Sequence, residues 1–278
     1  MVDYYVIDES SMKAAFDKYK ARCHKVIKHR PRTMSILARL NRDALRLFDR
    51  DYKGALKPET DLWKIFSERV PKKGVTSIPS GTSIKSAFRA FLTAEQGNLC
   101  CYCQRWLLNN GYAKPIEHIL PRESFEHYAF NFWNLAVACV DCNGRKSSHV
   151  WVDNAKRGLR KYPDPASFTE MFHPRFHRFK EHVRFVRVQT NDHNITLYRG
   201  VTAQGKKLCE DLLRDIAAKE VLVNGNPAIK ASLSAISQFE AEEGSELEGA
   251  LIKLQEAFSD AAMRLIKPKL PGGHDGPP

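Results

Sequence analysis

The sequence predicts an α+β protein, mainly helical, arranged around a small cysteine-bearing centre. Three observations predict it. Apolar residues recur at three- and four-residue spacing over residues 11–47 and again from Thr202 to Ile266, the period of helices with one buried face. Two Cys-x-x-Cys pairs, Cys100/Cys103 and Cys139/Cys142, stand 35 residues apart in a stretch whose short apolar runs are broken by Asn, Gly and Pro. Two runs rich in β-branched and aromatic residues, 183–188 and 195–198, flank Asn191-Asp192-His193-Asn194, the pattern of a hairpin.

Taken in chain order, residues 11–47 carry Phe16, Tyr19, Val26 and Ile27, then Ile36, Leu37, Leu40, Ala44 and Leu47, and Pro31 is expected to divide the stretch into two helices. Between them Lys28-His29-Arg30-Pro31-Arg32 forms a basic elbow whose Lys28, Arg30 and Arg32 suit a phosphate backbone, against the plainer alternative of a solvated face. Residues 70–81, with Pro71, Pro79 and two glycines, read as a loop, and residues 83–96 read as a helix with Ile84, Ala87, Phe88 and Phe91 on one face. The block 99–151 should hold small strands and one helix. After the hairpin, Leu208, Leu212 and Ile216, then Ile229, Leu233 and Ile236, then Leu247, Leu251, Leu254, Phe258, Met263 and Ile266 mark further helices. This divides the chain into a basic helical region (1–90), a cysteine-bearing core (91–157), a hairpin with C-terminal helices (158–266) and a flexible tail rich in Pro and Gly (267–278).

The 278 residues are 43% hydrophobic and 10% aromatic, enough to fill a core and unlike a disordered tail. No apolar run approaches the ~20 residues that a membrane-spanning helix needs, and the acidic opening lacks the basic flank of a secretory signal, so a cytoplasmic protein without a membrane partner is expected. The net charge of +12 is unevenly placed. Residues 13–57 hold 14 Lys and Arg against 4 Asp and Glu, whereas residues 207–266 hold 6 against 11, so the two ends face different partners.

Seven cysteines make an odd count for a disulfide framework, and paired cysteines in a cytoplasmic chain point to metal. Each knuckle offers two thiolates from one tight turn, and together Cys100, Cys103, Cys139 and Cys142 complete a tetrahedral Zn²⁺ site. Four sulfur ligands leave no open position, so that zinc is structural. Cys101 could stand in for Cys100, but a Cys-x-Cys pair bends less comfortably around one metal. Cys209 falls on the Leu208/Leu212 side of a helix, and Cys23 stands apart.

Between the knuckles lie Ile116-Glu117-His118-Ile119-Leu120-Pro121 and Phe132-Trp133-Asn134-Leu135, and the second knuckle runs into Cys142-Asn143-Gly144-Arg145-Lys146. These segments resemble the HNH endonuclease family, which joins C-x-x-C, an acid followed by His, Asn-Leu, and C-x-x-C-N-x-x-K in that order. The match spans about 50 of the 278 residues. Glu117 departs from the pattern, standing where Asp is commoner. The resemblance implies a ββα-metal core: one strand around residues 114–119, a second around 133–138, and a helix from near Cys142. It implies phosphodiester hydrolysis with His118 as the base that deprotonates water, Glu117 and Asn143 as ligands of a catalytic Mg²⁺ or similar cation, and Asn134 supporting the loop that orients His118. Arg145 and Lys146 would hold flanking phosphates. Taken singly, each of these residues has a structural alternative: a satisfied histidine for His118, a helix cap for Asn143. His127, His149, His173, His177 and His182 are left open between nucleic-acid contact and packing.

Beyond the core, the layout resembles the PtuB-like HNH subunits of Septu and retron anti-phage systems, on the helical N-terminal arm, the Cys-x-Tyr-Cys knuckle, Glu117 to Pro121, Phe132 to Leu135 and the following hairpin. That narrower resemblance implies an ABC/SMC-like (PtuA-like) ATPase as partner, and DNA and RNA both stay open as substrate. The acidic C-terminal helices, with the stripe Leu247, Leu251, Leu254 and Phe258 in residues 246–266, are the expected docking surface, against the plainer alternative that the stripe is core. The alternatives are a zinc-ribbon nucleic-acid-binding module without catalysis, a stand-alone restriction-type HNH nuclease, and a toxin-like effector that depends on a partner.

Overall fold

The computed structural model describes residues 4–54, 61–71, 78–107, 114–148, 152, 154–189 and 194–218. The expected helices beyond residue 218, including the stripe in 246–266, the tail 267–278, the turn at 190–193 and His149 lie outside the described residues. The chain divides into two compact units, Met1–Val183 with Gly200–Leu213, and Arg184–Arg199 with Arg214–Pro278.

In the first unit, helix α1 (Glu9–Arg22) starts at Asp8, whose side chain accepts from the Ser11 amide at 2.7 Å, and α2 spans Arg30–Gly54. The break between them falls at residues 23–26, ahead of Pro31. Val26 N–H donates to His24 Nδ1 (3.0 Å), Arg30 Nε donates to the His24 carbonyl (3.1 Å) and Cys23 Sγ lies 3.6 Å from the Arg30 carbonyl, so side chains turn the chain here. Pro31 sits in the first turn of α2, where its missing N–H costs no hydrogen bond.

A short helix that the periodicity did not announce, α3 (Leu62–Glu68), is capped by Asp61 and followed by α4 (Gly81–Glu95), capped by Ser80. The two helices touch so closely that a Cβ on Gly81 would lie 1.7 Å from the Phe66 carbonyl oxygen, which requires glycine. Ile36, Leu40 and Ala44 of α2, Phe66 of α3 and Ile84 of α4 share one core cluster with Ala129 and Phe130. Tyr19 of α1 packs on Phe88, Phe91 and Phe132, with ring centroids 5.0–5.2 Å apart. The helical arm thus closes over aromatic rings of the central block, and the expected boundaries at 90 and 157 both fall inside one compact unit.

At the centre, β1 (Ile116–His118) and β2 (Leu135–Val137) pair antiparallel, with His118 opposite Leu135 and Ile116 opposite Val137. A 3₁₀ turn over Phe132–Asn134 leads into β2, and α5 (Val140–Lys146) follows it with Cys139 as its cap. The C-terminal side of this unit adds α6 (Phe179–His182). The paired strands β3 (Val183–Gln189) and β4 (Asn194–Gly200) run mainly in the second unit, where Phe185 stacks on Tyr198 at 5.0 Å. Helix α7 (Ala203–Leu208) returns to the first unit and passes into a π turn over Cys209–Leu213.

Candidate metal centre and imidazole site

The four cysteines of the knuckles converge. Cys100, Cys103, Cys139 and Cys142 are all buried, and their sulfurs lie within 4.8 Å of one another. The turn after α4 delivers the first pair, and the cap of α5 delivers the second. Cys139 N–H points at Cys100 Sγ (3.2 Å) and Cys142 N–H at Cys139 Sγ (3.4 Å), amide bonds that favour sulfur carrying negative charge. Burial opposes ionisation of Cys100, and hydrogen bonds from the neighbouring cysteines outweigh it, drawing its pKa well below the usual thiol range. Such a closed, all-sulfur donor set fits Zn²⁺ and leaves no position for water. The fifth thiol, Cys101, is buried beside the set and shifted the other way, upward, by burial and by its neighbours' charge.

Successive side chains of β1 leave on opposite faces, and this separates the two residues of the acid–histidine pair. Glu117 is 3% exposed and faces α5 and the first knuckle. Its Oε1 meets Lys146 Nζ at 2.7 Å and accepts from Tyr102 Oη at 3.1 Å. Burial pushes the Glu117 carboxyl up, against the pull of Lys146 and Tyr102. Lys146 is 1% exposed and also donates to the His118 carbonyl at 3.0 Å. Two expectations change here. Lys146 is not a surface cation placed for a phosphate, because its ammonium is drawn inward by a buried carboxylate at the middle of the core. Nor does Glu117 present the open carboxylate that a divalent cation shared with Asn143 requires, so the arrangement does not fit a catalytic Mg²⁺. Asn143 is half-buried one turn before Lys146, and Arg145 is exposed.

His118 occupies the other face of β1. Its Nε2 lies 3.2 Å from the Ala129 carbonyl, an acceptor only, so Nε2 carries the proton and Nδ1 is left with the lone pair. Burial holds its pKa down at about 3, the Ala129 bond pulls it up, and Arg122, Lys146 and Lys85 push it further down. The imidazole is therefore neutral and set among cations. Trp63 meets it edge-on at 4.6 Å, and Lys85 Nζ lies 5.2 Å from the Trp63 ring.

Asn134 is fully buried and satisfied on both ends. Its Oδ1 accepts from the Leu120 amide (2.7 Å) and Tyr162 Oη (3.2 Å), while Nδ2 donates to the Leu120 (3.0 Å) and Tyr128 (3.2 Å) carbonyls. It therefore ties the loop after His118 to the segment that carries the Ala129 carbonyl. Tyr162 Oη also meets His173 Nε2 at 2.9 Å, and His173 Nδ1 accepts from the Arg175 amide, which fixes the direction of the chain from His173 through Tyr162 to Asn134.

The histidines left open turn inward. His127, His173, His177 and His182 are all buried, and Arg175 between them donates to the Leu135 carbonyl at 2.8 Å while lying over the Phe132 and Trp133 rings. In the elbow, Lys28 and Arg32 are exposed whereas Arg30 is engaged with the His24 carbonyl. Trp63, Lys85, Arg122 and the Ala129 carbonyl were missed by sequence reasoning. No motif marks them, since they reach His118 from α3, from α4 and from the turns on either side of residue 125.

Over 74 residues the chain is 30% identical to the Septu protein PtuB of Bacillus thuringiensis, a match that covers 26% of this chain and 29% of that protein. The chain therefore spans less than a third of that relative's length. No family model matches the chain, and no solved structure matches it.

Proposed function

We propose that this chain is an HNH endonuclease that hydrolyses phosphodiester bonds of nucleic acid, acting in an anti-phage defence system of the Septu type with an ATPase partner. The observation that carries the reading is His118: a neutral imidazole with one defined tautomer, its Nδ1 lone pair left by the Ala129 bond, with Lys85 near it and with Arg122 and Lys146 near it in ion pairs to Asp61 and Glu117. The local similarity to PtuB supports the defence setting.

The chemistry assigned to this chain's own residues is proton transfer and phosphate holding. Nδ1 of His118 takes a proton from water as the water attacks phosphorus, the P–O bond to the leaving ester oxygen breaks, and that oxygen is protonated by solvent while the imidazolium returns its proton to solvent; the Ala129 carbonyl, fixed through Asn134, holds the ring still. A half-buried imidazole whose desolvation holds its pKa at about 3 is a poor base until its surroundings change. An approaching phosphodiester anion acts in that direction, because it offsets the positive charge of Lys85, one of the lesser causes beside burial, and so raises the basicity of the ring. The zinc centre ties α5 and the turn after α4 to the ribbon and takes no part in proton transfer.

A second reading, a nucleic-acid-binding module without catalysis, is favoured by the Glu117–Lys146 pair, which fills the place where a catalytic cation was expected. One experiment separates them. Purified full-length protein is incubated with supercoiled plasmid and with total RNA, with Mg²⁺ and with EDTA, beside His118→Ala. Cleavage by the wild type that falls at least a hundredfold in His118→Ala, with zinc content and circular dichroism unchanged, supports the nuclease; binding without cleavage supports the module. Each tenfold loss corresponds to ~1.4 kcal/mol of barrier.

A further inference from the structure

On the His118 face of the ribbon, α1, α2, α3 and α4 line a cavity of about 340 Å³, open to solvent on one side, against β1 and the turn before β2. Its walls include the rings of Tyr19, Trp63, Phe88 and Phe132, with Lys85, Asn41 and Asn131 as polar members. Leu135, the partner of His118 across the ribbon, also lines it, so the cavity adjoins the imidazole through both Trp63 and the strand pair.

Two observations say that something polar and flat belongs there. Tyr19 is 1% exposed, and its hydroxyl has no hydrogen-bond partner among the described residues. A buried hydroxyl left unpaired in a packed aromatic cluster is costly unless a bound group accepts from it. Lys85 donates to Ser67 Oγ at 2.8 Å and lies against Trp63, with no carboxylate opposite it among the described residues. Lys85 places a positive charge on the wall that suits an anion, Arg122 nearby being paired with Asp61 at 2.6 Å, while the interior offers ring faces. The volume falls at the lower end of the ~300–1,000 Å³ of small-molecule pockets.

We propose that this cavity is a nucleobase pocket, which takes one base of the nucleic acid between aromatic walls, accepts the Tyr19 hydroxyl on a base carbonyl or ring nitrogen, and leaves the attached phosphate to Lys85 beside His118. Base–aromatic stacking tolerates every base, so the pocket grips a strand without reading a sequence. The inference rests on the nucleic-acid reading above and adds to it the recognition of an unstacked base.

The test uses the full-length protein and adenosine 5′-monophosphate as probe, followed by tryptophan fluorescence, with ribose 5-phosphate and inorganic phosphate as controls. Saturable quenching is expected with the nucleotide and not with the controls. Tyr19→Phe should weaken binding three- to tenfold while raising the melting temperature, since it removes an unpaired hydroxyl, and Lys85→Met should weaken binding five- to tenfold with zinc content unchanged. Three outcomes overturn the proposal: no saturable quenching, controls that compete as well as the nucleotide, or variants that bind like the wild type. Plasmid cleavage is scored in parallel. Cleavage without nucleotide binding ends the base pocket and leaves the nuclease standing, whereas nucleotide binding without cleavage does the reverse.

Discussion

Asn134 and Lys146 carry more of the centre than their size suggests. Removing the Asn134 amide orphans buried backbone groups of Leu120 and Tyr128, each costing roughly 1–3 kcal/mol, so Asn134→Ala should destabilise the fold by about 2–4 kcal/mol in denaturant unfolding. A loss within ~0.5 kcal/mol would show that water replaces it. Lys146→Met leaves the Glu117 carboxylate buried without its cation, with Tyr102 still donating to it, for a cost of about 3–5 kcal/mol, and Glu117→Gln in the same chain should restore most of it. If the double variant is no better than the single one, the pair is not what holds the two residues in place. At this scale the residue types were legible, and their partners were not. Glu117, His118 and Asn134 stand out as chemistry-bearing letters. The Ala129 carbonyl has no letter of its own, and nothing local ties Glu117 to a lysine on the far side of a strand and a turn.

Elements were legible where a period or a cap could repeat. α2 shows Ile36, Leu40, Ala44 and Phe48 buried at regular intervals, and α4 holds its expected apolar face but begins two residues earlier than expected, at a Ser80 cap. α3 was missed because two turns are too few for a period to show, and the break before α2 was misplaced because it is made by His24 and Arg30 side chains, not by Pro31. Two predictions belong here. Cys139→Ser keeps an oxygen able to cap α5 but removes a thiolate, so it should release zinc, measured by elemental analysis, and lower the melting temperature; a variant that keeps both its metal and its stability would refute the four-sulfur centre. In the elbow, reversing charge at Lys28 and Arg32 together should lower the slope of log affinity against log salt by ~2 for nucleic acid, and an unchanged slope would place the contact elsewhere. Arg30 is left out because it holds the turn.

For the whole molecule, buried neutral histidines set the response to acid. Burial holds His118 at about 3 and His127 and His177 at about 4, and drives His173 well below the usual value, against ~6.5 in an unfolded chain. Below about pH 6.5 the unfolded chain therefore binds more protons than the folded one, and stability is lost as pH falls toward the folded values. Glu117, shifted upward, acts in the opposite direction but is one group against four. The melting temperature should fall steadily from pH 7.5 to about 5, and a flat or rising profile would contradict the burial of these rings. The α+β class was legible from spacing alone. The merging of the helical arm with the centre was not, since charge and composition change along the chain while the core, set by rings far apart in sequence, does not. Tyr19 meets Phe132 only in the finished fold, and that contact has a consequence for how the protein is born. A ribosome adding about 5–20 residues per second emits α1 some 6–20 seconds before the turn that completes its packing, and the second pair of thiols comes later still. Through that interval the nascent arm carries unburied rings and an unfinished metal cradle, so the protein's yield in a cell should depend on holdase chaperones and zinc supply during translation more than on the stability of the completed fold.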